Sequence, residues 1–297
     1  MRVVVTGATG FIGSHVAVHL ARAGHAVVAT GRDAGKVPAL GEQPGIALAR
    51  LDLDDPPSWE APLRGADVLV HVALGWGDTG PEMLAADTAA SVGLFEAARR
   101  AGVKGVVYTS STAANGEMEP RNGEERQPRP TDLYGATKAA TEMFARAYAR
   151  QGLPVHVIRP GYIFGEPAVP GARSQPDRRF REICRAVREG RPVRLVKHDG
   201  TQFLHAADLA EVYLATLGDP APFTIRYGLS RDWVSWEQIA RWAMEAAGRE
   251  APVELEDRGY GAEPFRFDVS RLEGELGLSF PNEERLRAHV AWELGRG

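Results

Sequence analysis

The chain opens on a run that admits few folds. Val3, Val4 and Val5 lead into Thr6-Gly7-Ala8-Thr9-Gly10-Phe11-Ile12-Gly13, and an amphipathic stretch, residues 14–23, follows at once. β-Branched residues favour a strand, closely spaced glycines a turn, and the periodic apolar positions after them a helix. Strand, glycine turn and helix in this order form a seat for a diphosphate. The first N–H groups of a helix point outward unpaired, and the helix dipole favours an anion there. Gly7 permits the tight turn, Gly10 lets backbone approach the phosphates, and Gly13 lets the helix lie close to the strand. Thr9, Phe11 and Ile12 complete the loop.

The pattern of alternating elements continues for half the chain. Further strands are predicted at 26–30, 47–51, 68–72, 105–110 and 155–159, several of them unbroken Val/Ile/Leu runs. Such runs belong to parallel strands covered on both faces. Helices fit at 83–101 and 133–151, and Gly24, Gly102 and Gly152 stand where left-handed caps are wanted. The expectation is an α/β fold, a doubly wound parallel sheet of the Rossmann kind, with a smaller carboxyl-terminal substrate-binding lobe. Residues 1–165 form the dinucleotide domain, with 203–228 returning to it. Residues 166–202 and 229–297 form the lobe, with helices at 178–189, 235–247 and 281–294.

Bulk properties exclude several classes. A net charge of -4 argues against a general nucleic-acid surface. The single cysteine, Cys184, allows no intrachain disulfide, suits a reducing compartment, and reads as a small buried apolar residue. No apolar run reaches the ~20 residues of a membrane helix, and the first strand follows Met1 without a leader, so a cytoplasmic protein is expected. His198 and His205 have no partners at metal-ligand spacing, and no metal is expected.

Tyr134-Gly135-Ala136-Thr137-Lys138 places a phenol and an ammonium one helical turn apart on one face. A phenol is a poor base at neutral pH, and a neighbouring Lys⁺ is expected to lower its pKa. Upstream, the strand through Val106-Val107-Tyr108-Thr109 ends in Ser110-Ser111-Thr112, where a hydroxyl is placed to bond a reacting oxygen. Ligands of doubly wound sheets bind at such carboxyl ends. Taken alone, both features have plainer readings, a surface pair and a capped strand end.

Taken together, these residues resemble the extended short-chain dehydrogenases/reductases of the NAD-dependent epimerase/dehydratase type, over nearly the full length. Thr6–Gly13 resembles that family's T-G-x-x-G-x-x-G, and Tyr134 with Lys138 its Y-x-x-x-K. Further segments follow in order: Leu51-Asp52-Leu53, His71-Val72-Ala73, Arg159-Pro160-Gly161-Tyr162-Ile163-Phe164-Gly165, and Phe203-Leu204-His205-Ala206-Ala207-Asp208-Leu209-Ala210. The resemblance implies Asp52 and Leu53 at the adenine, and Val72, Ala73, Pro160 and Ile163 beside the cofactor. It implies Thr112, Tyr134 and Lys138 as the catalytic set, with Tyr134 relaying a proton and Lys138 binding the nicotinamide ribose.

Gly31 stands where the family carries an acidic residue, and Arg32 follows. Glycine leaves room for a 2′-phosphate and arginine can bind it, which favours NADP over NAD. The contrary reading turns Asp33 inward to the ribose.

The substrate end departs from the family. Sugar-nucleotide epimerases commonly carry a diphosphate-binding arginine before F-I-H-V, and Asp199-Gly200-Thr201-Gln202-Phe203 has none. The N-V-x-G-T-x-N pattern is degraded to Asp87-Thr88-Ala89-Ala90-Ser91-Val92-Gly93. Candidate substrate contacts are Ser111, Trp76, Arg178 and Arg179. The leading expectation is an NAD(P)-dependent oxidoreductase acting on a small alcohol or ketone, sugar derivatives among them. The alternatives are a sugar-nucleotide epimerase or dehydratase that recycles its cofactor, and a non-enzymatic dinucleotide sensor. Resemblance also implies a homodimer through the helices at 83–101 and 133–151.

Overall fold

The computed structural model describes residues 1–296. Seven parallel strands form the central sheet: β1 Arg2–Thr6, β2 Ala26–Gly31, β3 Ile46–Arg50, β4 Val68–His71, β5 Gly105–Thr109, β6 Val155–Pro160 and β7 Phe223–Gly228. Their spatial order is β7-β6-β5-β4-β1-β2-β3, with Val3 opposite both Val27 and Val68. Side chains alternate across the sheet with a period of two. Val3, Val5, Val27, Ala29, Val68 and Val70 face one core, and Val4, Val28 and Leu69 face the other. The central positions of β1, β2 and β4 are therefore apolar on both faces, as the sequence runs require.

Helices cover both faces. The first core takes α1 (Phe11–Arg22). The second takes α2 (Ala90–Arg100) and α3 (Leu133–Arg150), through Leu94, Phe95, Ala98 and Ala145. Gly24, Gly102 and Gly152 all adopt positive φ, closing the helices before them. The stretch expected as one helix over 83–101 is instead three segments. Gly80–Met83 is a short α-turn, Leu84–Ala89 is π-helical, and α2 follows.

A third core builds the lobe from α4 (Arg179–Glu189), α6 (Trp236–Ala247) and α7 (Glu283–Leu294), joined through Phe180, Ile183, Trp236, Ile239, Leu286 and Val290. Cys184 lies in it, 1% exposed, and burial raises its thiol to about 12. Between α4 and α6 the chain revisits the sheet. Helix α5 (Ala206–Thr216) packs on the first core and β7 adds the last strand. Phe267, Val269 and Leu272, expected in the lobe, also pack on that first core, because the short helix Ser270–Leu276 lies over α5 and β7.

Glu166 ties the pieces at their junction. Its carboxylate meets His205 Nε2 at 3.1 Å and His289 Nδ1 at 3.0 Å, and its carbonyl meets His15 Nε2 at 2.8 Å. Those imidazoles come from α5's start, α7 and α1. Hydrogen bonds from His205 and His289 hold the Glu166 carboxyl far below the usual range. These bonds give His205 its partner.

Candidate active site

The order of strands reverses between β1 and β4, and ligands of such sheets bind outside the carboxyl ends at that point. Gly7 has φ +65°, and a Cβ there would stand 2.8 Å from Ala73 Cα. A Cβ on Gly13 would stand 2.2 Å from the Gly7 carbonyl oxygen. Helix α1 starts after Gly10 with no side-chain cap and no acidic residue in its first turn. The N–H groups of Phe11, Ile12 and Gly13 are left to face an anion, so this cradle fits the diphosphate of a dinucleotide.

Thr6 braces the cradle. Its hydroxyl oxygen accepts from the N–H groups of Val72 and Ala73, both at 3.1 Å. It then donates to His71 Nδ1 at 2.7 Å, which leaves His71 Nε2 to donate to Ser91 Oγ at 3.0 Å. Burial holds the His71 imidazole down to about 3, so it stays neutral. Val72 and Ala73 are thereby fixed beside Gly7.

Asp52 follows β3. Its carboxylate accepts from Arg50 at 3.3 Å and from the Asp54 N–H at 3.3 Å, and Leu53 stands beside it. The space above Gly31 is occupied by Thr9, whose Oγ1 lies 2.8 Å from where a Cβ would be. Glycine at 31 thus makes room for a neighbour in the phosphate loop, a role the sequence did not show. Arg32 is exposed and has no ion pair among the described residues. Pro160 closes β6, and Ile163 is fixed in a short ladder against Leu204.

Tyr134 sits in the first turn of α3, whose N-cap Asp132 accepts from the Gly135 N–H at 2.6 Å. The Trp76 ring lies 6.2 Å from the Tyr134 ring, and Ser111 favours the ionised phenol without overcoming its burial. Ser111 caps the short turn that follows β5, its Oγ accepting from the Ala113 N–H at 3.1 Å. Ser111 is still extended at φ -160° and ψ 155°, whereas Thr112 has turned into the short helix Thr112–Ala114. Successive side chains therefore diverge at the end of β5.

Lys138 is 3% exposed, and its Nζ meets Asp87 Oδ1 at 3.2 Å. Asp87 is fully buried and also accepts from Thr137 Oγ1 at 2.8 Å, while Thr88 Oγ1 donates to the Thr137 carbonyl at 3.1 Å. Asp87 belongs to the π-helical turn, and no spacing rule in the sequence pairs it with Lys138. The expectation that Lys138 lowers the Tyr134 pKa is not met. Burial raises it, Asp87 and Asp132 add to the rise, and only Ser111 opposes them. The Lys138 charge is committed to Asp87.

Behind this set lies a buried pair. Arg159 Nε and Nη2 donate to the Glu142 carboxylate at 2.9 and 2.6 Å, and Ser110 Oγ donates to the same carboxylate at 2.5 Å. Arg159 also reaches the Asn115 side chain at 3.2 Å. It thus connects β6, α3 and the turn that carries Ser111.

Comparison with known proteins agrees with this geometry. Residues 3–225 match the model of the NAD dependent epimerase/dehydratase family. The chain belongs to this family. It is 28% identical to the UDP-glucose 4-epimerase of Azospirillum brasilense, over 98% of this chain and 92% of that one. It is 29% identical to the 3 beta-hydroxysteroid dehydrogenase/Delta 5-->4-isomerase of Mycobacterium tuberculosis (strain CDC 1551 / Oshkosh), over 84% of this chain and 70% of that one. Among solved structures, MoeE5 in complex with UDP-glucuronic acid and NAD is 29% identical with a TM-score of 0.79, covering 99% and 98% of the two chains. The protein is therefore a nicotinamide-dinucleotide-dependent enzyme of the epimerase/dehydratase family.

The substrate side of this family member is less regular. Trp76 is 65% exposed beside Tyr134 and lines a pocket with Asp54, Gly77 and Glu82. Arg179 is not free. It stacks over Trp236 at 4.4 Å and Tyr162 at 5.1 Å, and pairs with Asp177 at 2.8 Å and Asp199 at 3.6 Å. Arg178, exposed, has no ion pair among the described residues. Where the family's diphosphate arginine is missing, Gln202 is buried and bonded to the backbones of Ser230 and Phe267.

Proposed function

We propose that this protein is an epimerase or dehydratase of sugar nucleotides that reduces and reoxidises one bound dinucleotide within each turnover. The observation that carries the reading is Tyr134 and Lys138 on one face of α3, with Lys138 Nζ 5.7 Å from the Tyr134 ring centre, Ser111 and Thr112 at the end of β5, and the diphosphate cradle alongside. The family relatives support the sugar-nucleotide substrate. Tyr134 exchanges a proton with the substrate hydroxyl, Thr112 or its neighbour Ser111 holds the reacting oxygen, and Trp76 walls the pocket. When bound, the dinucleotide supplies a hydride acceptor and donor. Gly7, Thr9, Gly10, Phe11, Ile12 and Gly13 would hold its diphosphate, Asp52 and Leu53 the adenine, and Val72, Ala73, Pro160, Ile163 and Lys138 the nicotinamide half.

A second reading, net oxidation of an alcohol without a diphosphate, is favoured by the buried Gln202 and the neutralised Arg179. Incubation with stoichiometric UDP-glucose or UDP-glucuronic acid separates the two. Product without net absorbance at the reduced-nicotinamide band is the expected result. Accumulating reduced dinucleotide would favour the second reading.

For the dinucleotide itself, we propose NADP. The support is local: Gly31 brings no carboxylate, and Arg32 is exposed and unpaired among the described residues, free to take a 2′-phosphate. MoeE5 carries NAD, so the preference draws on this chain alone. Titration with both is expected to show the tighter Kd for NADP, and an equal or tighter Kd for NAD would reverse the assignment.

Pairing of two copies is also proposed. Leu84, Met143 and Phe144 are about half exposed, on the π-turn before α2 and on α3. Light scattering is expected to give twice the 32.1 kDa chain mass.

A further inference from the structure

The protonation state in which Tyr134 waits is set by a residue outside the family's Ser, Tyr and Lys. We propose that Asp87 is a positioning residue whose carboxylate balances the Lys138 ammonium, so that Tyr134 rests as the protonated phenol and the site meets its ligands as an acid. The inference rests on Tyr134 as the proton relay of the proposed function.

The argument is one of charge counting in a buried place. Asp87 is fully buried and Lys138 is 3% exposed, so neither charge is screened by water. The π-helical winding of Leu84–Ala89 presents Asp87 to α3, where it accepts from Lys138 Nζ at 3.2 Å and from Thr137 Oγ1 at 2.8 Å. Lys138 Nζ lies 5.7 Å from the Tyr134 ring centre and 5.2 Å from that of Tyr108. The other groups facing the set are His71 on β4, Tyr108 on β5, Ser111 after it, Asp132 and Glu142 on or at α3, and Tyr213 on α5. His71 is neutral, both of these tyrosines are buried phenols, and Glu142 is matched by Arg159.

With Asp87 ionised, Lys138 charged and Tyr134 protonated, the set is neutral. Loss of a proton leaves a net negative charge out of water, which is costly. With asparagine at 87 the same set starts at one positive charge, and loss of a proton neutralises it. The sign is therefore fixed before any detail of which atom releases the proton. In the native protein, a positive charge brought into the pocket is what draws the proton from Tyr134. In the Asp87→Asn variant that charge is built in.

The first readout needs neither substrate nor dinucleotide. Tyrosinate absorbance is titrated in the native protein, in Asp87→Asn, and in Asp87→Asn/Tyr134→Phe. The expected result is a one-tyrosine component in Asp87→Asn that appears about one pH unit or more below its native position and vanishes in the double variant. The acid limb of the kcat/KM profile is expected to move the same way. An unchanged or upward-shifted component overturns the proposal, even if the enzyme is active. Asp87→Ser, which keeps an oxygen for Lys138 without the charge, is expected to reproduce the shift should asparagine impair folding. A Tyr134→Phe enzyme with normal turnover would instead reject the proton relay, and leaves the absorbance result to stand separately.

Discussion

Tyr134→Phe is expected to lower turnover by a factor of about 10²–10⁴, the usual worth of a positioned proton donor or acceptor, with dinucleotide affinity largely unchanged. The substitution removes one oxygen. The ring that faces Trp76 remains, and the Lys138–Asp87 pair is untouched because it does not bond the phenol. The diphosphate cradle lies on α1, a different element. Steady-state kcat with the sugar nucleotide, and dinucleotide Kd from quenching of protein fluorescence, measure the two parts. Near-normal turnover would reject Tyr134 as the relay. Joint loss of turnover and affinity would show that the phenol is needed for the cradle, contrary to the geometry.

Arg159→Leu is expected to be the most destabilising single change in the site's support. Glu142 is 2% exposed and would lose its partner without gaining water. Removing one member of a buried ion pair costs about 3–5 kcal/mol, because the orphaned charge remains out of water. In a chain of this size that is a fall in Tm of about 10 °C. The double variant Arg159→Leu/Glu142→Leu is expected to recover part of the loss, since no charge is then stranded. Differential scanning calorimetry of both variants checks this, and a double variant less stable than the single would refute it. Arg159 also holds Asn115, so residual activity should fall in Arg159→Leu even where the chain is folded.

Much of this protein is legible along the chain because its signals are local. Val3 to Val5 must be strand, and the glycines at 7, 10 and 13 must turn and admit a phosphate, whatever lies elsewhere. The Tyr134–Lys138 spacing needs only a helix to place both on one face. The strand positions near 26, 46, 68, 105 and 155 follow from unbroken apolar runs, which only a sheet covered on both sides can bury. The return of residues 267–272 to the first core was not legible, since its apolar residues are equally suited to the lobe.

The site's electrostatics were not legible for a physical reason. Asp87 and Lys138 are separated by fifty-one positions, and their pairing depends on a π-turn that periodicity read as ordinary helix. Ser111 and Thr112 are neighbours with the same chemistry, and only the point where β5 gives way to a helix sets their directions apart. Arg179 looked available to an anion because its partners Asp199, Tyr162 and Trp236 come from other elements. The sequence alone located six of the seven strands, the glycine turn and the Tyr134–Lys138 spacing on one helix, since each is a short-range pattern. Tertiary structure alone decided what charge surrounds that phenol, because electrostatic partners are chosen by distance in space and by burial.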